Sequence, residues 1–207
     1  MKKIFQKSWL GIDFNTLSVN LSRHDIANEE FYTEFYKTFF RKFRDYSALP
    51  SYWIEYKNEI VDHLKLVLKP NDVVLSIGAG LCYIESKLVE DLIGIDLTAI
   101  EPNAMKAHEW MNPKIQLIKG YFPADLKLLN FDFVYSSSID YIFNDDQYLE
   151  FLNSLTDYGI NDYFITEIYL DDDSTISKIK DFTFHSLDQM NLVHRGQFWG
   201  YLRTFEE

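Results

Sequence analysis

The sequence predicts an α/β fold: a three-layer sandwich with a mostly parallel, Rossmann-like sheet between helices, a helical N-terminal extension and a shortened C-terminal segment. Three observations carry this. Short β-branched and aliphatic runs alternate with segments of helical periodicity between residues 72 and 169. The first run, Val73-Val74-Leu75-Ser76-Ile77, enters the turn Gly78-Ala79-Gly80. The second ends in a carboxylate, Ile100-Glu101-Pro102. Continuous apolar runs, rather than strict alternation, are the pattern of parallel strands covered on both faces.

The elements follow in order. Residues 25–45 read as an aromatic amphipathic helix, with Phe31, Phe35, Phe39 and Phe43 on one side and Tyr32, Tyr36 and Phe40 beside them. The phenylalanines are expected in the core. The tyrosines carry polar tips that need partners, so a ligand-facing position stays open for Tyr32 and Tyr36. Pro50 breaks the chain, and Trp53, Tyr56, Ile60, Val61, Leu64 and Leu68 then recur at helical spacing. Trp53 and Tyr56 fit either core or a pocket wall. Lys69-Pro70-Asn71-Asp72 is a turn into the first strand. Beyond it the pattern predicts strand 72–77, helix 81–90, strand 96–101, helix 103–111, strands 115–119 and 131–137, helix 145–156 and strand 162–169. Thr204-Phe205-Glu206-Glu207 has the spacing of a capping box and predicts a helix start.

Size and composition bound the function. At 207 residues the chain can bury a substantial core but not a cofactor domain plus an independent catalytic domain, and its 47% apolar and 17% aromatic content excludes a disordered chain. No apolar run is long enough to span a bilayer. The start Met1-Lys2-Lys3 resembles a signal peptide, but Gln6, Lys7 and Asp13 interrupt any apolar segment behind it. A single cysteine, Cys82, leaves no intrachain disulfide and fits a reducing, cytoplasmic location. The 32 acids against 20 Lys and Arg give a net charge of −12, which repels phosphate backbones. A nucleic-acid partner is therefore not expected, and a small-molecule or sugar-like partner is. Oligomeric state is not legible.

Glycines at the carboxyl end of a strand let a ligand approach the backbone, and a carboxylate at the next strand tip can accept bonds from two ribose hydroxyls. Together they predict a nucleoside-containing ligand. A dinucleotide site would want a third glycine in Gly78-Ala79-Gly80-Leu81-Cys82-Tyr83, where this chain has Tyr83. The same residues, with Ser76 in front, resemble instead the first motif of the class I S-adenosylmethionine-dependent methyltransferases, acid-x-Gly-x-Gly-x-Gly. Gly78 and Gly80 match, while Ser76 stands for the acid and Cys82 for the last glycine. The resemblance covers roughly residues 50–170, including Phe131-Asp132-Phe133-Val134 as the opening of the fourth strand.

The resemblance implies methyl transfer to a small or carbohydrate-like acceptor at oxygen, with S-adenosylmethionine as cofactor and S-adenosylhomocysteine as product. It implies a cofactor site of Ser76, Gly78, Ala79, Gly80, Glu101, Pro102, Tyr121, Phe122 and Ser136, with Glu101 on the ribose. Tyr121-Phe122 stands where the family often has an Asp, which implies that adenine is held by stacking and backbone groups. Asp140 and Tyr141 follow the fourth strand, where an acceptor lies, and His194 is the remote candidate base. Arg195 and Arg203, in the basic-aromatic stretch 194–203, are candidates to pair with an anionic acceptor; an ordinary packed strand is the equal alternative. Glu85 could supply the carboxylate that Ser76 lacks, although an exposed helix-surface position is favoured.

No metal is expected. Asp171-Asp172-Asp173, with Asp140 or Asp145, could form a metal set, but adjacent acids read first as solvated surface. The family's closing helix and antiparallel strand pair would have to fit in the 37 residues after Leu170, hence the expectation of a shortened C-terminal segment. The expected organisation is one domain: extension and cap 1–68, cofactor-binding core 69–170, substrate-side segment 171–207. A non-catalytic binding protein of the same fold is the main alternative, and a nicotinamide-dependent oxidoreductase a weaker one.

Overall fold

The strand Val73–Ile77 (β3) forms where β-branched and aliphatic residues run without interruption, and its neighbours in sequence follow the same rule. The computed structural model describes residues 8–19, 29–103, 107–126, 130–139, 147, 150, 151, 154, 155, 158, 160, 162–169, 182–186 and 197–204. A short antiparallel hairpin, Ser8–Trp9 (β1) with Ile12–Asp13 (β2), comes first. The helices Glu29–Lys42 (α1) and Ser51–Val67 (α2) precede β3. Then follow Tyr83–Asp91 (α3), Asp96–Ile100 (β4), Ala107–Trp110 (α4), Gln116–Ile118 (β5) and Phe133–Ser137 (β6). The chain continues through Asp162–Tyr169 (β7), Phe182–Ser186 (β8) and Gln197–Thr204 (β9). Gln147, Glu150, Phe151, Ser154 and Leu155, within the helix expected at 145–156, are helical.

Seven strands form one sheet in the order β5-β4-β3-β6-β7-β9-β8. The first five run parallel, whereas β9 is antiparallel to both β7 and β8. The chain order reverses between β3 and β6, so the carboxyl ends of β3, β4 and β6 surround the switch point where such sheets take ligands. The antiparallel pair corrects the expected shortened C-terminal segment. Thr204 is the last residue of β9, where Phe198, Trp199, Tyr201 and Leu202 suit a paired strand and β7 offers the ladder; the residues that would continue the expected helix lie outside the described residues.

Alternation along each central strand builds the two sides. Val74, Leu97, Ala99, Phe133 and Tyr135 pack with Ile60, Val61 and Leu64 of α2 and Ile84, Leu88 and Val89 of α3. Their opposite neighbours Leu75, Ile77, Ile100 and Val134 pack with Leu126, Phe151, Leu155 and Ile160. A third cluster is the cap: Phe31, Phe35, Tyr36 and Phe39 of α1 meet the hairpin, Trp53, Leu81 and Tyr83. Phe35 stacks on Trp9 with ring centres 5.0 Å apart. Lys42 ties the end of α1 to the hairpin, donating to the carbonyls of Leu10 at 3.1 Å and Gly11 at 2.8 Å.

Candidate functional site

The turn after β3 needs its glycines for different reasons. Gly78 has φ +73°, and a Cβ there would lie 2.4 Å from Cγ2 of Ile139. Gly80 has φ +55°, yet among the described residues a Cβ there would meet only the hydroxyl of Tyr36, at 3.5 Å. Position 78 is thus filled by the protein's own packing, while position 80 opens a cradle roofed by α1. Cys82, in the left-handed region at φ +55°, starts α3 and is fully buried; burial pushes its thiol up. The Gly78 N–H donates to the Ile100 carbonyl at 2.9 Å, locking the turn to the β4 tip.

Glu101 completes that tip. It is 7% exposed; Oε2 accepts the N–H of Gly80 at 2.9 Å and Oε1 the N–H of Asn103 at 2.8 Å. Burial pushes its carboxyl above the ordinary value, the Asn103 and Gly80 amides oppose this, and the charge of Glu85 adds to the rise. A carboxylate has about four acceptor positions, so each oxygen keeps one for a ligand hydroxyl. Tyr121 follows β5 and is 53% exposed; partial burial, and after it the charges of Glu29 and Glu101, raise its hydroxyl above the ordinary value.

Glu85 corrects the expectation of an exposed side chain. It is 2% exposed, and its Oε1 accepts from Ser76 Oγ at 2.5 Å and Tyr135 OH at 2.6 Å. Its Oε2 is buried and has no hydrogen-bond partner among the described residues. Burial pushes this carboxyl up, against the two hydroxyls and the more distant charge of Lys57. Lys57 was not singled out by the sequence. Its Nζ donates to Ser137 Oγ at 3.1 Å and lies over the rings of Tyr56 at 5.3 Å and Trp53 at 5.9 Å. The four-residue spacing of Trp53 and Lys57 was readable; the contact with β6, 80 residues away, was not.

The predicted residues sort by position. Gly78, Ala79, Gly80, Glu101, Pro102 and Tyr121 lie at the carboxyl ends of β3, β4 and β5. The Ser76 hydroxyl is engaged by Glu85. Ser136 is fully buried and its hydroxyl pairs with that of Tyr163, inside the sheet. Phe122 packs on Phe151 and Tyr158, with ring centres 5.7 and 5.5 Å apart. Arg203 stands opposite Asp162, the first residue of β7, and therefore at the amino-terminal edge of the sheet. That register corrects its expected place in an acceptor pocket at the other edge. Asp140, Tyr141, His194 and Arg195 lie outside the described residues, as do Asp145 and Asp171–Asp173. Among the described residues no group of three or more His, Cys, Asp or Glu could hold a metal, and no helix is long and apolar enough to cross a membrane.

No family model and no curated protein sequence matches this chain. Solved structures do. A TehB-like S-adenosylmethionine-dependent methyltransferase from Corynebacterium glutamicum aligns with TM-score 0.57 at 13% identity, over 75% of this chain and 97% of that one. A methyltransferase from Pyrococcus furiosus aligns with TM-score 0.55 at 16% identity, over 72% and 82%. Magnesium protoporphyrin IX methyltransferase from Synechocystis, solved with bound S-adenosylmethionine, aligns with TM-score 0.54 at 13% identity, over 72% and 79%. The chain has the fold of the class I S-adenosylmethionine-dependent methyltransferases.

Proposed function

We propose that this protein binds S-adenosylmethionine at the Gly78–Gly80 turn and Glu101 and transfers its methyl group to a small-molecule acceptor, at oxygen. The observation that carries the reading is the junction of turn and acid: Glu101 Oε2 takes the Gly80 N–H at 2.9 Å while its oxygens keep acceptor capacity toward the same opening. The cradle at Gly80 fits the group, since among the described residues only the Tyr36 hydroxyl comes within 4 Å of a Cβ placed there. Glu101 would hold the ribose hydroxyls, and Tyr121 would border the base. Bound S-adenosylmethionine would supply an electrophilic methyl carbon on a sulfonium.

The chain's task is then to align an acceptor oxygen with that carbon and to remove its proton. Asp140 and Tyr141 remain the proposed acceptor-side residues, because they directly follow Ile139, whose side chain lies against Gly78. His194 and Arg195 remain proposed as base and anion partner. They immediately precede Gln197, which pairs with Tyr169 at the carboxyl end of β7. Arg203 is not retained. A nicotinamide dinucleotide is disfavoured by Tyr83, which is 5% exposed and packs edge-on against Tyr46 and Trp53, 5.1 and 5.4 Å away. The net charge of −12 favours a small acceptor over a nucleic acid, and the lone cysteine a cytoplasmic location.

Calorimetric titration with S-adenosylhomocysteine tests the reading. Binding is expected; its absence overturns the cofactor assignment. Release of S-adenosylhomocysteine from S-adenosylmethionine with hydroxylated small-molecule acceptors is expected as well. Binding with no turnover on any acceptor would favour the non-catalytic alternative, which Ser76 in place of the motif acid first suggested.

A further inference from the structure

The glycine turn sits above a carboxylate that its surroundings satisfy on one side only. Ser76 and Tyr135 are direct partners across the β3–β6 ladder, so their side chains leave the sheet side by side on one face. Both hydroxyls converge on Oε1 of Glu85, in the first turn of α3. With two donors on one oxygen the rotation of the carboxylate is fixed, and Oε2 points elsewhere by construction. That oxygen is buried and has no partner among the described residues.

We propose that Glu85 recognises a primary ammonium on the ligand held by the glycine turn, with Oε2 as the acceptor. This rests on the proposed cofactor reading, whose ligand carries such an ammonium at its amino-acid end. A buried acceptor without a partner is costly, and more so when the group is a carboxylate. If Glu85 only tied α3 to β3 and β6, glutamine would do the same work, because its single amide oxygen can accept both hydroxyls. A carboxylate is needed where the second oxygen meets a cation. The candidate protein cation does not fill the role: Lys57 contributes charge from a distance but donates to Ser137.

The placement agrees. Glu85 stands three residues after the turn 78–82, in the first turn of α3, and its charge reaches both Cys82 in that turn and Glu101 at the tip of β4. A ligand lying along the turn, with its hydroxyls at Glu101, would bring its other end toward β3, β6 and α3. An ammonium is compact, with three donors, and suits a single inward-facing oxygen. The start of α3 adds a favourable field for the carboxylate.

The test uses two probes, S-adenosylhomocysteine and its desamino analogue, which lacks only the ammonium. Both are titrated calorimetrically into the full chain, as wild type and as Glu85→Gln. The wild type should prefer S-adenosylhomocysteine by about tenfold or more, the range of one charge-assisted hydrogen bond. Glu85→Gln should erase that preference, weakening S-adenosylhomocysteine and leaving the analogue nearly unchanged. A preference that survives in Glu85→Gln overturns the inference, as does an equal loss for both probes, which would mark Glu85 as a structural tie. Equal binding of both probes by the wild type overturns this inference alone, while binding of neither overturns the cofactor reading too. Tyr135→Phe removes one donor and keeps the carboxylate. It should reduce the preference without abolishing it, and it decides the matter if Glu85→Gln does not fold.

Discussion

Glu101 and Glu85 are both buried beside the glycine turn, and the protein holds them in opposite ways. Glu101, at the strand tip, has one backbone amide on each oxygen, from Gly80 and Asn103. Glu85, on the helix, has two hydroxyls on one oxygen and, among the described residues, no partner on the other. The first arrangement is balanced and built from the turn itself, so Glu101 shapes the rim whether or not a ligand is present. The second is lopsided, and the proposed ligand ammonium would complete it. Position near the turn therefore does not define a role; the distribution of donors over the two oxygens does.

The largest effect is expected where the turn supporting both acids is disturbed. Gly78→Ala would set a Cβ 2.4 Å from Ile139 at φ +73° and should destabilise the fold by about 2–4 kcal/mol. Urea unfolding should register this as a lower midpoint at unchanged slope; wild-type stability would mean that the turn relaxes freely. Gly80→Ala separates folding from binding. Among the described residues its Cβ would meet only the Tyr36 hydroxyl, at 3.5 Å, so the strain there is that of φ +55°, about 1–2 kcal/mol. The variant should fold and lose most affinity for S-adenosylhomocysteine, and a folded variant with full affinity would move the ligand away from the turn.

Glu85→Gln should also change stability, in a direction that sharpens the contrast. Burial raises the Glu85 carboxyl in the folded state above its ordinary value of 4.5. The folded protein therefore holds that proton more tightly than the unfolded chain. This contribution is present at low pH and is lost as pH rises through the raised value. Glutamine does not titrate, so the variant should be more stable than the wild type near pH 8, on the order of 1 kcal/mol or about 2–4 °C in Tm. The gap should close as pH falls toward the ordinary carboxylate range. Thermal melts at several pH values check this, and a variant less stable at pH 8 would mean that the carboxylate stabilises the fold without a ligand. The smallest effect is expected at Tyr121, which is 53% exposed. Tyr121→Ala should leave stability within about 0.5 kcal/mol and weaken S-adenosylhomocysteine only several-fold.

The sheet and the rim acid were legible because their signals are local. Val73–Gly80 and Ile100–Glu101 are contiguous strand-and-tip patterns, and the expected strand 162–169 coincides with β7. Glu85 was misjudged because its partners lie 9 and 50 residues away on two strands, and burial preference alone sends a helix glutamate outward. Ser136 was implied as a cofactor residue by the family resemblance, but pleat alternation turns it toward Tyr163 on the face opposite Tyr135. The Arg203 assignment failed for a similar reason. Nothing in residues 194–203 states that the strand runs antiparallel to β7, and direction alone carries its end to the opposite edge. The hairpin β1–β2 is held by distant contacts, Trp9 on Phe35 and Lys42 on the Leu10 and Gly11 carbonyls, which a two-residue strand cannot announce.

The central claim is that the turn and Glu101 form a nucleoside site, and one measurement addresses it directly: calorimetric titration of S-adenosylhomocysteine into the wild type and Glu101→Ala, with a melt to verify that the variant is folded. Removing the acid takes away the acceptor for two ribose hydroxyls as well as the anchor of the Gly80 amide, so the loss should be about 2–3 kcal/mol, roughly thirtyfold or more in Kd. The desamino analogue should weaken by the same factor, since it keeps the ribose. A wild type that binds neither compound, or a folded Glu101→Ala that binds both unchanged, would contradict the account.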